Sequence, residues 1–144
     1  MKALYILLII VNFLFANKLT KSGDYVIDDA NKLMWQDTYD NVKYRFTQDE
    51  AQEYCDTLVL SGFSNWRLPT VENYKTIIDK TRIREELMIN KAFRYILPEN
   101  YWAIDRTWIR NFGLYGYYVF FKSGAIYYQN RTYKKFVRCV RDIK

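Results

Sequence analysis

Residues 47–58, TQDEAQEYCDTL, contain the clearest secondary-structure signal in the chain. Thr47 and Glu50 have the T-x-x-E spacing of a capping box, in which both side chains bond exposed backbone N–H groups at the start of a helix. Apolar residues recur at helical spacing behind the box. The pattern predicts a first helix that turns Cys55 inward and ends near Gly62.

A second helix is predicted after residues 65–70, NWRLPT. Pro69 favours an extended conformation at the residue before it, and Thr70 is a suitable N-cap. Residues 71–79 then place their apolar side chains on one helical face. Residues 81–97 mix charged and apolar side chains, which indicates a short irregular helix.

Strand patterns lie on both sides of the helices. Before the helices, two short β-prone runs flank a turn, and after them a β-prone hairpin and a last strand follow. On that last strand, Val137 and Cys139 share one face by alternation. The order predicts an α+β fold with two helices packed on short antiparallel sheets. The predicted strands cover residues 25–27, 33–35, 101–103, 117–121, 125–128 and 136–140.

The N-terminus has the composition of an export signal. Lys2 precedes a mostly apolar run that is shorter than the roughly 20 residues needed to span a bilayer, and Ala16 is a small residue suited to cleavage. We expect a signal peptide over residues 1–16, a flexible approach over 17–24 and one domain over 25–144. An uncleaved anchor and a buried element of the domain are the alternatives.

The chain has two cysteines, Cys55 and Cys139, which lie 84 positions apart. They do not form a CxxC redox motif, and two cysteines do not complete a four-ligand zinc site. In an exported protein, two thiols of one small domain tend to pair. We therefore expect one structural disulfide, with two buried free thiols as the alternative.

The chain has no histidine, so we expect no enzyme and no cofactor. Histidine supplies the base of most nucleophile pairs and is the commonest metal ligand. Glu72 or Glu99 with Asp105 is the alternative carboxylate pair, although no spacing selects it. Calcium needs about six to eight oxygen ligands in one place, and no such cluster is evident. The nearest acidic group is interpreted as turn residues: Asp28, Asp29, Asp37 and Asp40.

Charge is unevenly distributed along the chain. Residues 101–144 hold nine Lys or Arg and two acidic residues, whereas residues 17–100 hold twelve basic and fourteen acidic residues. Such a basic segment favours an anionic partner, and an ordinary solvated surface is the alternative. Aromatic rings beside the cations would serve as loop platforms for a sugar. The expected ligand-binding residues are Arg106, Arg110, Arg131, Lys134 and Lys135, with Tyr115 and Tyr133.

Five short blocks in order carry a family resemblance: 33–37 (LMWQD), 51–55 (AQEYC), 65–70 (NWRLPT), 101–103 (YWA) and 137–141 (VRCVR). Together they resemble the bacterial Lcl C-terminal domain family, typified by the C-terminal domain of a collagen-like adhesin. The resemblance covers about residues 25–141.

The resemblance implies a C-type lectin-like fold and a disulfide from the first helix to the last strand, between Cys55 and Cys139. It also implies that Trp66, Leu68 and Trp102 are core or loop-anchoring residues. The chain departs from calcium-dependent lectins, because their Glu-Pro-Asn and Trp-Asn-Asp motifs are missing. No calcium-dependent sugar site is expected.

These observations lead to one functional expectation. We expect an exported, non-catalytic binding domain in the periplasm or at the cell surface, whose ligand is an anionic glycan or a surface adhesion target. The alternative is a structural or assembly component of an envelope protein complex. An export signal places the protein away from nucleic acid, and no membrane span is expected in the mature chain.

Overall fold

A computed structural model describes residues 18–85 and 87–144. The expected signal peptide lies outside the described residues. The elements in chain order are β1 (Leu19–Ser22), β2 (Tyr25–Asp28), β3 (Leu33–Gln36), α1 (Asp40–Lys43), β4 (Arg45–Phe46), α2 (Gln48–Thr57), α3 (Val71–Lys75), a 3-10 helix (Lys80–Glu85), β5 (Asn100–Ile109), β6 (Gly113–Phe120), β7 (Ala125–Asn130), β8 (Lys135–Phe136) and β9 (Val140–Asp142).

The strands form two sheets, and the α+β class predicted from the sequence is confirmed. The terminal sheet has the order β1-β2-β3-β9, with every pair antiparallel. The large sheet has the order β4-β8-β5-β6-β7 and is antiparallel except for a parallel contact between β5 and β8. The terminal sheet thus contains both the start and the end of the described chain, with β1 and β9 at its opposite edges.

The prediction of a flexible approach over residues 17–24 is wrong for its central part. Residues 19–22 form β1, which pairs with β2 along its whole length. Leu19 is buried in the core, so this strand belongs to the domain. The sequence of β1 resembles a linker because three of its four residues are polar and only Leu19 is buried.

Both helix starts are confirmed. Thr47 and Glu50 form the predicted capping box of α2, and Thr70 forms a second one with Asn73. Both helices end earlier than predicted, α2 at Thr57 and α3 at Lys75. In α3 the hydroxyl of the next residue, Thr76, donates to the carbonyl of Asn73 at 2.6 Å, and such local bonds compete with helix continuation.

The predicted last strand is divided between the two sheets. β8 pairs within the large sheet and β9 within the terminal sheet, and residues 137–139 connect them. Val137 and Cys139 are buried in one cluster, as the shared face predicted. The chain leaves one sheet here because the backbone N–H and C=O of Cys139 bond Gln36 of β3.

The disulfide between Cys55 and Cys139 is confirmed, and it joins α2 to this connection between the sheets. Trp66, Leu68 and Trp102 surround it in the same buried cluster, as predicted. A second cluster, built around Trp35, Tyr74 and Tyr101, fills the space between the terminal sheet, α3 and the other half of the large sheet. Among the described residues no helix is long and apolar enough to cross a membrane.

Candidate binding surface

Two of the predicted arginines meet at the start of α2. Arg106 lies on β5 and Arg131 lies in the turn between β7 and β8, and both donate to the same oxygen of Asp49. The Nη2 of Arg106 is 2.8 Å from Asp49 Oδ1, and the Nη1 of Arg131 is 3.0 Å from it. Two guanidinium groups therefore share one carboxylate, which leaves net positive charge at this point.

Gln48 fixes the position of both arginines. Its backbone N–H donates to the carbonyl of Arg131 at 3.0 Å, and its side-chain oxygen accepts from Nε of Arg106 at 3.1 Å. The Gln48 amide also donates to the carbonyls of Ala103 and Asp105 on β5. Because Gln48 is fully buried, the buried amide anchors the arginines while their guanidinium groups stay partly open to solvent.

The turn that carries Arg131 also presents Tyr133 and Lys134 to solvent. The side chain of Asn130 accepts from the N–H and hydroxyl of Thr132, and the carbonyl of Asn130 accepts from the N–H of Tyr133. These bonds fix the turn, and Tyr133 is 55% exposed. We call Arg106, Arg131, Tyr133 and Lys134 the basic strip.

Lys135, predicted as a surface ligand contact, is buried instead. Its Nζ lies 3.9 Å from the centroid of the Tyr118 ring and 5.1 Å from that of Trp102, and it donates to Gln129 Oε1 at 2.5 Å. Burial lowers the pKa of Lys135 to about 8. Strand alternation in β8 points the Lys135 side chain toward these aromatic rings. Lys135 therefore packs beneath the basic strip and is not available to a ligand in solvent.

The structure separates Tyr115 from the other predicted residues. Tyr115 lies on β6 opposite Thr107 of β5, whereas the next residue, Gly116, lies opposite Arg106. Neighbouring residues of a strand point to opposite faces, so the Tyr115 ring lies on the other face of the sheet from Arg106. Its ring contacts Tyr128 at 6.4 Å between centroids. The expectation that it is a loop platform beside Tyr133 is therefore corrected.

Arg110 is exposed but lies in the turn between β5 and β6, beyond the basic strip. Three apolar side chains that the sequence analysis did not select are exposed around it: Trp108 and Phe112, each 72% exposed, and Leu114, 39% exposed. The signal that could have found them is the turn itself. Residues 110–113, RNFG, place a phenylalanine where a turn usually carries a polar residue.

Asp37, interpreted as a turn residue, is instead part of a buried charge network. Its carboxylate accepts from Lys21 Nζ at 2.6 Å, from Arg138 Nη1 at 3.2 Å and from the backbone N–H groups of Arg94 and Tyr95. Burial pushes the pKa of Asp37 up, but the charge of Arg138 and these hydrogen bonds outweigh it and lower the pKa. The network ties β1 and β3 to the connection between the sheets.

Two of the three carboxylates weighed for a catalytic pair have other partners. Asp105 accepts from the backbone N–H of Val71 at the start of α3, and Glu72 pairs with Lys75 at 2.8 Å. Within residues 18–85 and 87–144, no group of three or more acidic, cysteine or histidine side chains has an arrangement that could hold a metal ion.

A comparison with protein families identified one match. The family model described as Lcl C-terminal domain matches residues 24–141, which is most of the chain. The matched region contains both sheets except β1 and the last residue of β9, together with both capped helices and the disulfide. No curated protein matched the chain.

Proposed function

Since the chain belongs to the Lcl C-terminal domain family, we propose that it is an exported, non-catalytic binding domain of C-type lectin-like fold that binds an anionic glycan through the basic strip. Periplasm or cell surface is the proposed location. Family membership supports a shared fold, whereas the ligand is argued from the strip.

The observation that carries the proposal is the pair of guanidinium groups on one carboxylate. Arg106 donates to Gln48, Asp49 and Gln52 through Nε and Nη2, and its Nη1 has no partner among the described residues. Arg131 donates to Asp49 through Nη1, and its Nε and Nη2 have no partner among the described residues. A sulfate or carboxylate group of a glycan would accept charge-assisted hydrogen bonds from these remaining donors. Lys134 adds a third cation, and the exposed face of Tyr133 offers an apolar ring beside them.

The charge of the surrounding sequence supports the same ligand class. Residues 106–141 contain eight Lys or Arg and no Asp or Glu. Asp49, Glu50 and other acids of α2 lie at one border of the strip and would repel an anion that approached from that side. A bound polyanion is therefore expected to follow the β7–β8 turn, not the helix.

The disulfide supports export. Disulfides persist in oxidising compartments and are rare in the cytosol, and Cys55 and Cys139 are paired here. The proposed signal peptide over residues 1–16 would deliver the chain to such a compartment.

Retention on sulfated-glycan beads tests the proposal. We expect the protein to stay bound at physiological salt, where the Debye length is about 8 Å and long-range attraction is screened. Arg131→Gln with Lys134→Gln is expected to lower the salt needed for elution. Lys122→Gln with Lys144→Gln removes the same charge from exposed sites outside the strip and serves as the matched control. Elution of the unmodified protein well below physiological salt would contradict the proposal. An equal fall in the elution salt for the strip variant and the control variant would also contradict it.

A second candidate function is that of an assembly component in an envelope protein complex. The outer strand of the large sheet, β7, favours it: its sequence AIYYQN has no charge, and Tyr127 and Tyr128 are half exposed. No described strand pairs with its outer edge, and such an edge accepts an added strand of another protein. A stoichiometric protein partner recovered from an envelope extract, without glycan binding, would favour this function.

A further inference from the structure

The hairpin formed by β5 and β6 extends beyond the rest of its sheet. β7 pairs with β6 only as far as Tyr115, and β8 contacts β5 only at Tyr101. The last two rungs, Trp108 opposite Leu114 and Ile109 opposite Gly113, therefore have no further strand beside them among the described residues. Residues 108–114, which we call the hairpin end, project as a two-stranded ribbon.

The hairpin end carries an unusual concentration of exposed apolar surface. Trp108 and Phe112 are each 72% exposed, and Leu114, opposite Trp108 across the ribbon, is 39% exposed. Scattered apolar residues on a surface need no explanation, but a large group at one projecting point marks an interaction site. The other tryptophans of the chain, Trp35, Trp66 and Trp102, are all buried.

The charges around the hairpin end select the class of partner. Arg110 lies in the turn and Arg106 lies two residues before Trp108 on the same face of β5, whereas residues 106–141 contain no acidic side chain. Tryptophan prefers the interface between lipid and water, and nearby Arg and Lys bind anionic headgroups. A projecting apolar end above a broad basic surface fits a flat anionic layer better than a small pocket.

We infer that the hairpin end inserts into the surface of an anionic phospholipid bilayer. Trp108, Phe112 and Leu114 enter the headgroup region, while Arg106 and Arg110 pair with phosphate groups at the surface. The protein then lies on the membrane as a peripheral module, with the hairpin end as its contact. This inference does not rest on glycan binding: the two sites share Arg106, but the hairpin end adds Arg110 and three apolar residues that the basic strip does not contain.

Trp108 makes the inference directly testable, because it is the exposed tryptophan among four that the structure describes. We expect its emission to shift to shorter wavelength, and its quenching by iodide to fall, when vesicles of phosphatidylglycerol and phosphatidylcholine (3:7) are added to the full chain. Pure phosphatidylcholine vesicles are expected to give a smaller shift, and added salt is expected to reduce it.

Phe112→Ser is the test variant, and Val59→Ser is its matched control, because Val59 is 70% exposed and lies outside the hairpin. We expect Phe112→Ser to weaken vesicle binding by at least severalfold and Val59→Ser to leave it unchanged. Circular dichroism checks that both variants fold. Retention on sulfated-glycan beads should be the same for both variants, which separates this test from that of the proposed function.

Four results would overturn the inference. Absence of a Trp108 shift with anionic vesicles would do so directly. Vesicle flotation without a shift would assign binding to another segment, such as the apolar residues 3–16. A shift that depends only on protein concentration would assign the hairpin end to contacts between copies. A shift with envelope proteins but not with vesicles of the extracted lipids would assign it to a protein partner.

Discussion

Lys135 is a single residue whose protonation is coupled to folding. Burial among Trp102 and Tyr118 lowers its pKa from 10.5 to about 8, so between these pH values the unfolded chain binds the proton more tightly. Folding stability due to this residue must therefore rise with pH over that range and be lowest below pH 8. A buried charged amine is a cost that the fold carries at neutral pH.

We predict that the unfolding free energy of the unmodified protein rises relative to that of Lys135→Met between pH 7 and pH 9.5. The change is expected to be about 2 kcal/mol, since one pKa unit corresponds to about 1.4 kcal/mol. Urea unfolding of both proteins across this range measures it, and tyrosine titration common to both cancels in the difference. A pH-independent difference would contradict the assigned burial.

Asp37 is the opposite case, because its charged form stabilises the fold. Asp37→Asn leaves Arg138 buried without its carboxylate partner, and breaking a buried ion pair in this way costs about 3–5 kcal/mol. Because the pKa of Asp37 is lowered, this stability is present above about pH 4 and is lost as the pH falls through the folded pKa.

Unfolding of Asp37→Asn by urea at pH 7 and at pH 3 checks this prediction. The difference in unfolding free energy between Asp37→Asn and the unmodified protein should be large at pH 7 and smaller at pH 3. Asp24→Asn removes an exposed carboxylate from the neighbouring turn and should change little at either pH. Equal losses from both substitutions would refute the role of the buried pair.

At the scale of elements, α2 approaches the large sheet at Gly116. A Cβ added there would lie 2.5 Å from the side-chain nitrogen of Gln48, which is held by the carbonyls of Ala103 and Asp105 and by Arg106. The glutamine has little freedom to move, because moving it leaves buried polar groups unsatisfied. The Gln48 side chain of α2 therefore packs directly against the backbone of Gly116, in space that a larger residue would need.

We predict that Gly116→Ala destabilises the protein by about 1–3 kcal/mol, the cost of losing such buried hydrogen bonds. In combination with Gln48→Ala, which removes the obstructing side chain, the loss should be clearly smaller than the sum of the two single losses. A double-mutant cycle by thermal or urea unfolding measures this. Strictly additive losses would show that the two residues do not interact.

Elements defined by local chemistry could be predicted from the sequence, whereas those defined by distant partners could not. Residues close in sequence form the capping box of α2, the N-cap at Thr70 and the β6–β7 hairpin, and these features were predicted. The role of Asn73 as the partner of Thr70 in a second capping box was not predicted. The division into β8 and β9 depends on contacts between Cys139 and Gln36, which are 103 positions apart. The long β5 was underestimated because its outer half carries exposed charged and aromatic residues.

The candidate site follows the same division. Composition identified Arg106, Arg131, Tyr133 and Lys134 as cations and a ring in one basic segment. The fold joins the two arginines at Asp49 and puts the other two residues in the turn that carries Arg131. Composition could not show that Lys135 points inward or that Tyr115 lies on the opposite face, because strand alternation depends on register. Trp108 was missed because exposure is a tertiary property, whereas the turn sequence at residues 110–113 was a signal that could have indicated Phe112.

At the scale of the whole molecule, the disulfide joins α2 to the connection between the two sheets. It closes a loop of 84 positions, and the chain-entropy model assigns about 4–5 kcal/mol to a loop of this length. We predict that Cys55→Ala with Cys139→Ala lowers the unfolding free energy by about 2–5 kcal/mol. Urea unfolding of the oxidised protein and of the variant measures it, and a loss below about 1 kcal/mol would contradict a structural role.

The whole-molecule charge pattern gives the central functional claim, that an anionic glycan binds at the basic strip. The most direct measurement is the titration of ¹⁵N-labelled protein with a sulfated oligosaccharide at physiological salt, followed by amide and arginine Nε–H chemical shifts. We predict that the shifts are concentrated at Arg106 and at residues 131–134 and that they saturate. No shifts at all, or shifts centred elsewhere on the described surface, would contradict the proposed site.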